Sequence, residues 1–242
     1  MGTTCLSSAC KTQQKMKTIH IGDIHGRSFW KHIVSANPDA DKIVFHGDYF
    51  DDYETTTTRS QIENFEEIVE LRKKEPDRII LLTGNHDLHY IPVVGETYSG
   101  YQTTGAIDIW ISMSERLKYM QMCYITKHFI CSHAGITKTF LERVGIENDK
   151  DLEKNLNELL EFRPKKFGFY GIDLYGDDIT QGPVWVRPNS LLADGIPKLH
   201  IVGHSKCPRI ELLKGNCNVY KIDTSGYEYL ECNNGQFLIR KI

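Results

Sequence analysis

Three short segments of the chain carry groups that bind metals or move protons. They are Gly22-Asp23-Ile24-His25-Gly26, Gly47-Asp48-Tyr49-Phe50-Asp51 and Gly84-Asn85-His86-Asp87. Ser132-His133-Ala134-Gly135 and Val202-Gly203-His204-Ser205 follow further along. Carboxylates, imidazoles and a carboxamide make a mixed set of hard oxygen and borderline nitrogen donors, which suits Mn, Fe or Zn better than Ca. One ion takes only about three or four protein ligands. The set here is larger, so two ions sharing a carboxylate is the economical reading. Two ions held about 3.5–4 Å apart stabilise both the attacking and the leaving oxygen of an in-line displacement. Two divalent ions against two carboxylates and a hydroxide leave about one positive charge, which favours an anionic substrate such as a phosphate ester. Buried without metal, so many charged and polar groups would be left uncompensated.

Each of these segments directly follows a strand-like apolar run. Thr18 to Ile21 runs into Gly22, Lys42 to Phe45 into His46-Gly47, and Arg78 to Leu82 into Thr83-Gly84. Between them, Phe29, Trp30, Ile33 and Val34 recur at helical spacing, as do Ile62, Phe65 and Val69, with a Glu70–Lys74 pair at i,i+4. This β-α-β-α-β order predicts an α/β sheet. In such sheets the ligand crevice lies beyond the carboxyl ends of the strands, which is where the donor residues sit. Further on, Ile107, Trp110, Ile111 and Leu117 predict a helix, as do Leu152, Leu156, Leu159 and Leu160. Cys123 to Ile125, Phe129 to Cys131, Leu199 to Val202, Val219 to Ile222, Tyr227 to Leu230 and Phe237 to Ile239 predict strands, the last two joined by an Asn234-Gly235 hairpin turn. Leu88 to Gly105 and Arg163 to Pro183 read as loops, and Tyr90, Tyr98 and Tyr101 in the first could equally face solvent or wall a pocket. His20, His32, His46, His89, His128 and His200 stand outside the motif frame and read as structural, with His46 close enough to support a ligand. Asp52 and Asp87 read as supporting or solvated groups.

The chain has 242 residues, 40% of them hydrophobic and 25% charged, which excludes disorder as the main state. A formal charge of −3 argues against bulk electrostatic binding of nucleic acid. No apolar run approaches the roughly 18 residues of a membrane span. Seven cysteines, an odd number with no CxxC pair, argue against a disulfide framework and for a reducing, cytoplasmic setting. They read as buried fillers, with Cys131 and Cys207 flanking the site. Residues 1–15 lack an apolar stretch and read as a flexible tail, leaving 16–242 as one domain.

The series GDIHG, GDYFD, GNHD, SHAG and VGHS resembles the calcineurin-like metallophosphoesterase superfamily, nearest its phosphoprotein-phosphatase and phage-type branch. The resemblance implies a four-layer α-β-β-α sandwich, two mixed sheets flanked by helices. It implies two divalent metal ions, manganese first, with Fe, Zn or Mg as alternatives. Asp23 and His25 would bind one ion, Asp48 would bridge both, and Asn85, His133 and His204 would complete the second. A metal-bridging hydroxide would attack phosphorus while His86, held by Asp51, protonates the leaving oxygen. Protein phosphatases of the family place Arg-Gly after the second motif to grip phosphate, whereas here the residues are Asp52-Tyr53. Arg187, in a Trp-x-Arg segment similar to that of the small bacterial and phage enzymes, is the candidate replacement, with Arg59 second. The expected activity is phosphate-ester hydrolysis. A nucleotide hydrolase of the diadenosine-tetraphosphatase or cyclic-nucleotide type is the enzyme alternative, and a metal-bound scaffold without turnover the non-enzyme one.

Overall fold

The computed structural model describes residues 16–52, 56–147 and 149–242. The predicted tail, residues 1–15, lies outside them, as does Tyr53.

The chain opens with the expected alternation: β1 (Lys17–Ile21), α1 (Trp30–Ala36), β2 (Lys42–Phe45), α2 (Thr58–Lys74) and β3 (Ile79–Leu82). Thr57 caps α2, its hydroxyl accepting from the Ser60 amide, and Arg72, Lys73 and Lys74 complement the dipole at its other end. Glu70 pairs with Lys73 at i,i+3 rather than with Lys74. One short turn, α3 (Asn85–Leu88), follows β3 directly. Next come α4 (Ala106–Ser114), β4 (Met120–Gln121), β5 (Cys123–Ile125), β6 (Phe129–Ser132), α5 (Lys138–Val144) and α6 (Leu152–Phe162). The chain ends with α7 (Pro188–Asp194), β7 (Leu199–Val202), β8 (Glu211–Lys214), β9 (Asn218–Lys221), β10 (Glu228–Asn233) and β11 (Gln236–Lys241).

The inward face of α4 differs from the expected one. Ile109 and Met113 are buried, Ile107 and Ile111 are exposed, and Leu117 lies beyond the helix end. The α5 and α7 helices, of seven residues each, and the strands β4 and β8 were not apparent from periodicity. The Asn234-Gly235 turn is present, both residues having positive φ, as a tight hairpin requires.

The strands form two mixed sheets, in the orders β11-β10-β1-β2-β3-β4 and β5-β6-β7-β9-β8. β1, β2, β3 and β4 are parallel, while β10 pairs antiparallel with both β1 and β11. In the second sheet β6, β7 and β9 are parallel and β5 and β8 antiparallel at the edges. Side chains alternate across each strand. Ile19, Ile21, Ile43, Phe45, Ile79 and Leu81 pack outward with Phe65, Ile68 and Val69 of α2. Val44, Ile80 and Leu82 pack inward with Phe129, Cys131, Ile201 and Ile222 of the other sheet. The second sheet's outer face meets α7 through Leu191, Val202 and Val219. The result is the expected sandwich of two mixed sheets flanked by helices, and the parallel strands of both sheets end toward one crevice.

Candidate metal centre and active site

The crevice is a cavity of about 840 Å³, and Asp23, His25, Asp48, Asn85, His86, Arg187 and His204 all line it. His133 is buried at its floor, with Nε2 3.0 Å from Asn85 Oδ1 and 3.3 Å from Asp48 Oδ2. His204 Nδ1 lies 2.9 Å from the same Asn85 oxygen, and His25 Nε2 lies 3.8 Å from Asp48 Oδ2. The Asp23 carboxylate accepts from the His204 amide at 3.0 Å. All six candidate ligands therefore converge from five strand ends.

Backbone geometry makes this convergence possible. His25, Asp48, Asp51 and His204 all have φ between 45° and 65°, a region non-glycine residues seldom occupy and one that clusters at functional sites. The segments also touch closely. A Cβ on Gly84 would stand 2.0 Å from Asp48 Oδ1, and one on Gly203 would stand 2.0 Å from Asp23 Oδ1. The buried Asp87 carboxylate ties the second strand end to the third, accepting from the amides of Gly84, Asp48 and Tyr49 at 2.7–2.9 Å.

The donor chemistry fits metal ions. Each of three imidazoles has one nitrogen engaged by a backbone carbonyl. His25 Nδ1 donates to Phe50 at 2.8 Å, His133 Nδ1 to His46 at 2.7 Å, and His204 Nε2 to Trp185 at 3.1 Å. That leaves the other ring nitrogen facing a carboxylate or amide oxygen. Such outer-shell anchoring is how metal-binding histidines are oriented. The electrostatics agree. Burial pushes the His133 imidazole down, but Asp48 and Asp23 outweigh it and lift it to about 10. Burial and neighbouring Asp223 push the Asp23 carboxyl well up. The His133 shift shows a negative field that favours positive charge there.

Beside this group stands a second one. His86 Nδ1 lies 2.8 Å from Asp51 Oδ2. Asp51 is itself buried and held by the Tyr90 hydroxyl and, at 3.1 Å, by Gln102 Nε2. His89 Nε2 approaches Asp51 Oδ2 to 2.7 Å, out of line for a good hydrogen bond. Burial lowers the His86 imidazole, yet Asp48 and Asp51 together raise it above its ordinary value.

Arg187 lines the cavity, its Nε donating to the Tyr175 carbonyl at 2.8 Å and its Nη1 to the His204 carbonyl at 3.1 Å. Arg59 does not reach it. That side chain is largely exposed and pairs with Glu63 at 2.8 Å on a different face. Tyr98 lines the cavity, whereas Tyr90 and Tyr101 stack on each other behind it, ring centroids 5.0 Å apart.

Several lining residues escaped the sequence reading. Arg27, Lys206 and Asp223 all border the cavity. Each stands one or two places after a motif or strand end, a signal that was there to use. His89, read as structural, stands three residues after His86 on one face of a helical turn.

The family model of the calcineurin-like phosphoesterases matches residues 16–231. The chain belongs to that family. Solved structures share its fold. A cold-active protein-tyrosine phosphatase of a psychrophilic Shewanella species aligns with TM-score 0.59 at 16% identity, over 93% of this chain and 78% of that one. A point mutant of a cold-active protein tyrosine phosphatase aligns at 0.60 and 17%, with the same coverage. A protein serine/threonine phosphatase from Saccharomyces cerevisiae aligns at 0.55 and 12%, over 94% of this chain and 79% of that one. Among the described residues no helix is long and apolar enough to cross a membrane.

Proposed function

We propose that residues 16–242 form one metal-dependent phosphoesterase domain that hydrolyses a phosphate ester. The observation that carries this reading is the meeting of three carbonyl-anchored imidazoles with Asp23, Asp48 and Asn85 at the cavity floor, next to the His86–Asp51 pair. Asp23, His25, Asp48, Asn85, His133 and His204 would hold two divalent ions, with manganese the first choice for this oxygen and nitrogen set. When bound, such ions polarise a phosphoryl oxygen and make water a nucleophile at neutral pH.

The chain's own groups supply the rest. Asp48 faces His25 and His133 and is placed to serve both ions. His86 Nδ1–H donates to the Asp51 carboxylate, so the other ring nitrogen can present a proton to the leaving oxygen. Against burial, Asp48 and Asp51 raise His86 above its ordinary value, which favours its protonated form. Arg187, Arg27 and Lys206 surround the mouth with positive charge suited to a phosphate. The five described cysteines are buried free thiols, which suits a reducing cytoplasm.

The decisive experiment is hydrolysis of an aryl phosphate monoester and diester after stripping the protein and reloading it with Mn, Fe, Zn or Mg. Turnover should depend on metal. His86→Ala should lower kcat by about 10²–10⁴ with metal content unchanged; equal turnover in the loaded variant would end the general-acid assignment. A loaded but inert wild-type protein would support the scaffold reading.

One observation favours a nucleotide as the ester. Tyr98, Phe169, Tyr175 and Trp185 wall the cavity with rings, and a base or other flat group can stack there. Steady-state rates on dinucleoside polyphosphates and cyclic nucleotides against a phosphopeptide separate the two substrates.

A further inference from the structure

Between the two sheets, behind the residues that line the cavity, three polar side chains meet in an otherwise apolar layer. His20 lies on β1, His46 follows β2 and Cys131 lies on β6, and alternation turns all three toward the inter-sheet core of Val44, Ile80, Phe129 and Ile201. Each is fully buried, and none lines the cavity. His46 Nε2 lies 3.4 Å from His20 Nδ1, and Cys131 Sγ lies 3.5 Å from that same nitrogen. All three donor atoms lie within 4.8 Å of one another.

An imidazole nitrogen offers either one lone pair or one N–H. His20 Nδ1 therefore cannot satisfy both neighbours by hydrogen bonding. The outer nitrogens, His20 Nε2 and His46 Nδ1, form no well-aligned hydrogen bond, although a Ser132 backbone group supports the His46 ring. A buried polar group in that condition is costly. One shared cation removes the conflict at the centre. Two donors bound to one ion at about 2.0–2.3 Å stand about 3.3–3.7 Å apart, which matches both distances. We propose that His20, His46 and Cys131 form a third metal site, sealed in the inter-sheet core and distinct from the cavity centre, that takes one thiophilic d¹⁰ ion, Zn(II) or Cu(I). Nitrogen and thiolate donors select such ions over Mg, Ca or Mn. Binding breaks the Cys131 S–H bond and forms a sulfur–metal bond; the proton leaves to solvent and no electron moves. The closed position makes the ion a structural one, acquired as the chain folds. This site stands independently of the phosphoesterase reading.

The full chain, produced in medium supplemented with zinc and copper, is treated with EDTA to strip the open cavity and analysed for metals. About one zinc or copper ion per chain should remain, and which element remains names the ion. Cys131→Ala and His20→Asn should each lose it. X-ray absorption at the retained metal's edge on the wild-type protein needs no variant to fold. It should show one sulfur neighbour at about 2.3 Å, which the nitrogen and oxygen donors of the cavity cannot supply. No retained ion, or a retained ion without sulfur, would overturn the site and leave a buried hydrogen-bonded triad. Phosphate-ester hydrolysis by the reloaded cavity reports separately on the phosphoesterase reading.

Discussion

At the scale of single residues, the site works by giving similar side chains different surroundings. His133 and His86 are both raised in their affinity for protons, but His133 is fully buried between Asp48 and Asp23 while His86 borders the cavity beside Asp51. On the proposed reading the first would give up its proton to a bound cation, and the second would deliver its proton to the leaving oxygen. If His86 acts protonated, activity falls as pH rises through its value. Asp51 is one of the groups holding that value up, so Asp51→Asn should move the alkaline limb of kcat/KM to lower pH. A pH–rate profile of the metal-loaded variant with an unmoved limb would remove Asp51 from this role. Arg187 is held over the cavity by two backbone carbonyls. On the proposed reading Arg187 grips the phosphate, and loss of such a charge-assisted contact costs about 1.5–3 kcal/mol, so Arg187→Ala should raise KM about tenfold or more in steady-state assays.

At the scale of elements, the strand ends determine the site because they approach one another without side chains between them. Gly47 has φ +95°, and a Cβ there would meet the Gly84 amide at 2.5 Å. The contact between the β2 and β3 ends is thus backbone against backbone, closed by Asp87 below. Gly84→Ala should force Asp48 aside. The expected outcome is a stability loss of about 1–3 kcal/mol from overpacking, seen by urea melts, together with reduced metal content by elemental analysis. Normal metal occupancy in a folded variant would show that the Asp48 position tolerates displacement. The short turn α3 places Asn85 toward the imidazoles and His86 toward Asp51 from adjacent positions. Two functions are thereby joined to one strand end.

At the scale of the whole molecule, two sheets and their helices hide several histidines that have no charge to offer. His200, on the outer face of the second sheet, bonds the Ile196 carbonyl at 3.1 Å, and burial holds its imidazole down from 6.5 to about 4. In the unfolded chain it takes a proton near its ordinary value; in the folded chain it does not. Its contribution to stability is therefore complete above about pH 6.5 and lost as pH falls toward about 4. The slope is about 1.4 kcal/mol per pH unit for one such group. His200→Asn should flatten stability against pH across that window, as measured by denaturant melts. An unchanged slope would show that His200 stays solvated in the folded state.

Five motif segments and the β-α-β-α-β start were legible in the sequence, because a strand's apolar run and the donor residues at its end are contiguous text. The same locality explains why α/β architecture and the candidate donor residues are readable from residue order, whereas the pairing of His86 with Asp51, 35 residues apart, came from the resemblance to the family. The helices α5 and α7 were not legible, since α5 buries only the adjacent Phe140 and Leu141 and α7 only Leu191, whereas the equally short α1 shows spaced apolar residues. The ring nitrogen each histidine turns inward was decided by carbonyls far away, as His133 by His46 across 87 residues. So were the second contact of His89 with Asp51, the place of Asp223 beside Asp23, and the exclusion of Arg59 from the cavity. The meeting of His20, His46 and Cys131 belongs with these, since it needs two different sheets stacked face to face. Residue type and spacing determined which chemistry the chain could offer. Long-range packing decided which groups meet, in which protonation state, because burial and neighbouring charge exist only once the sheets have closed on each other.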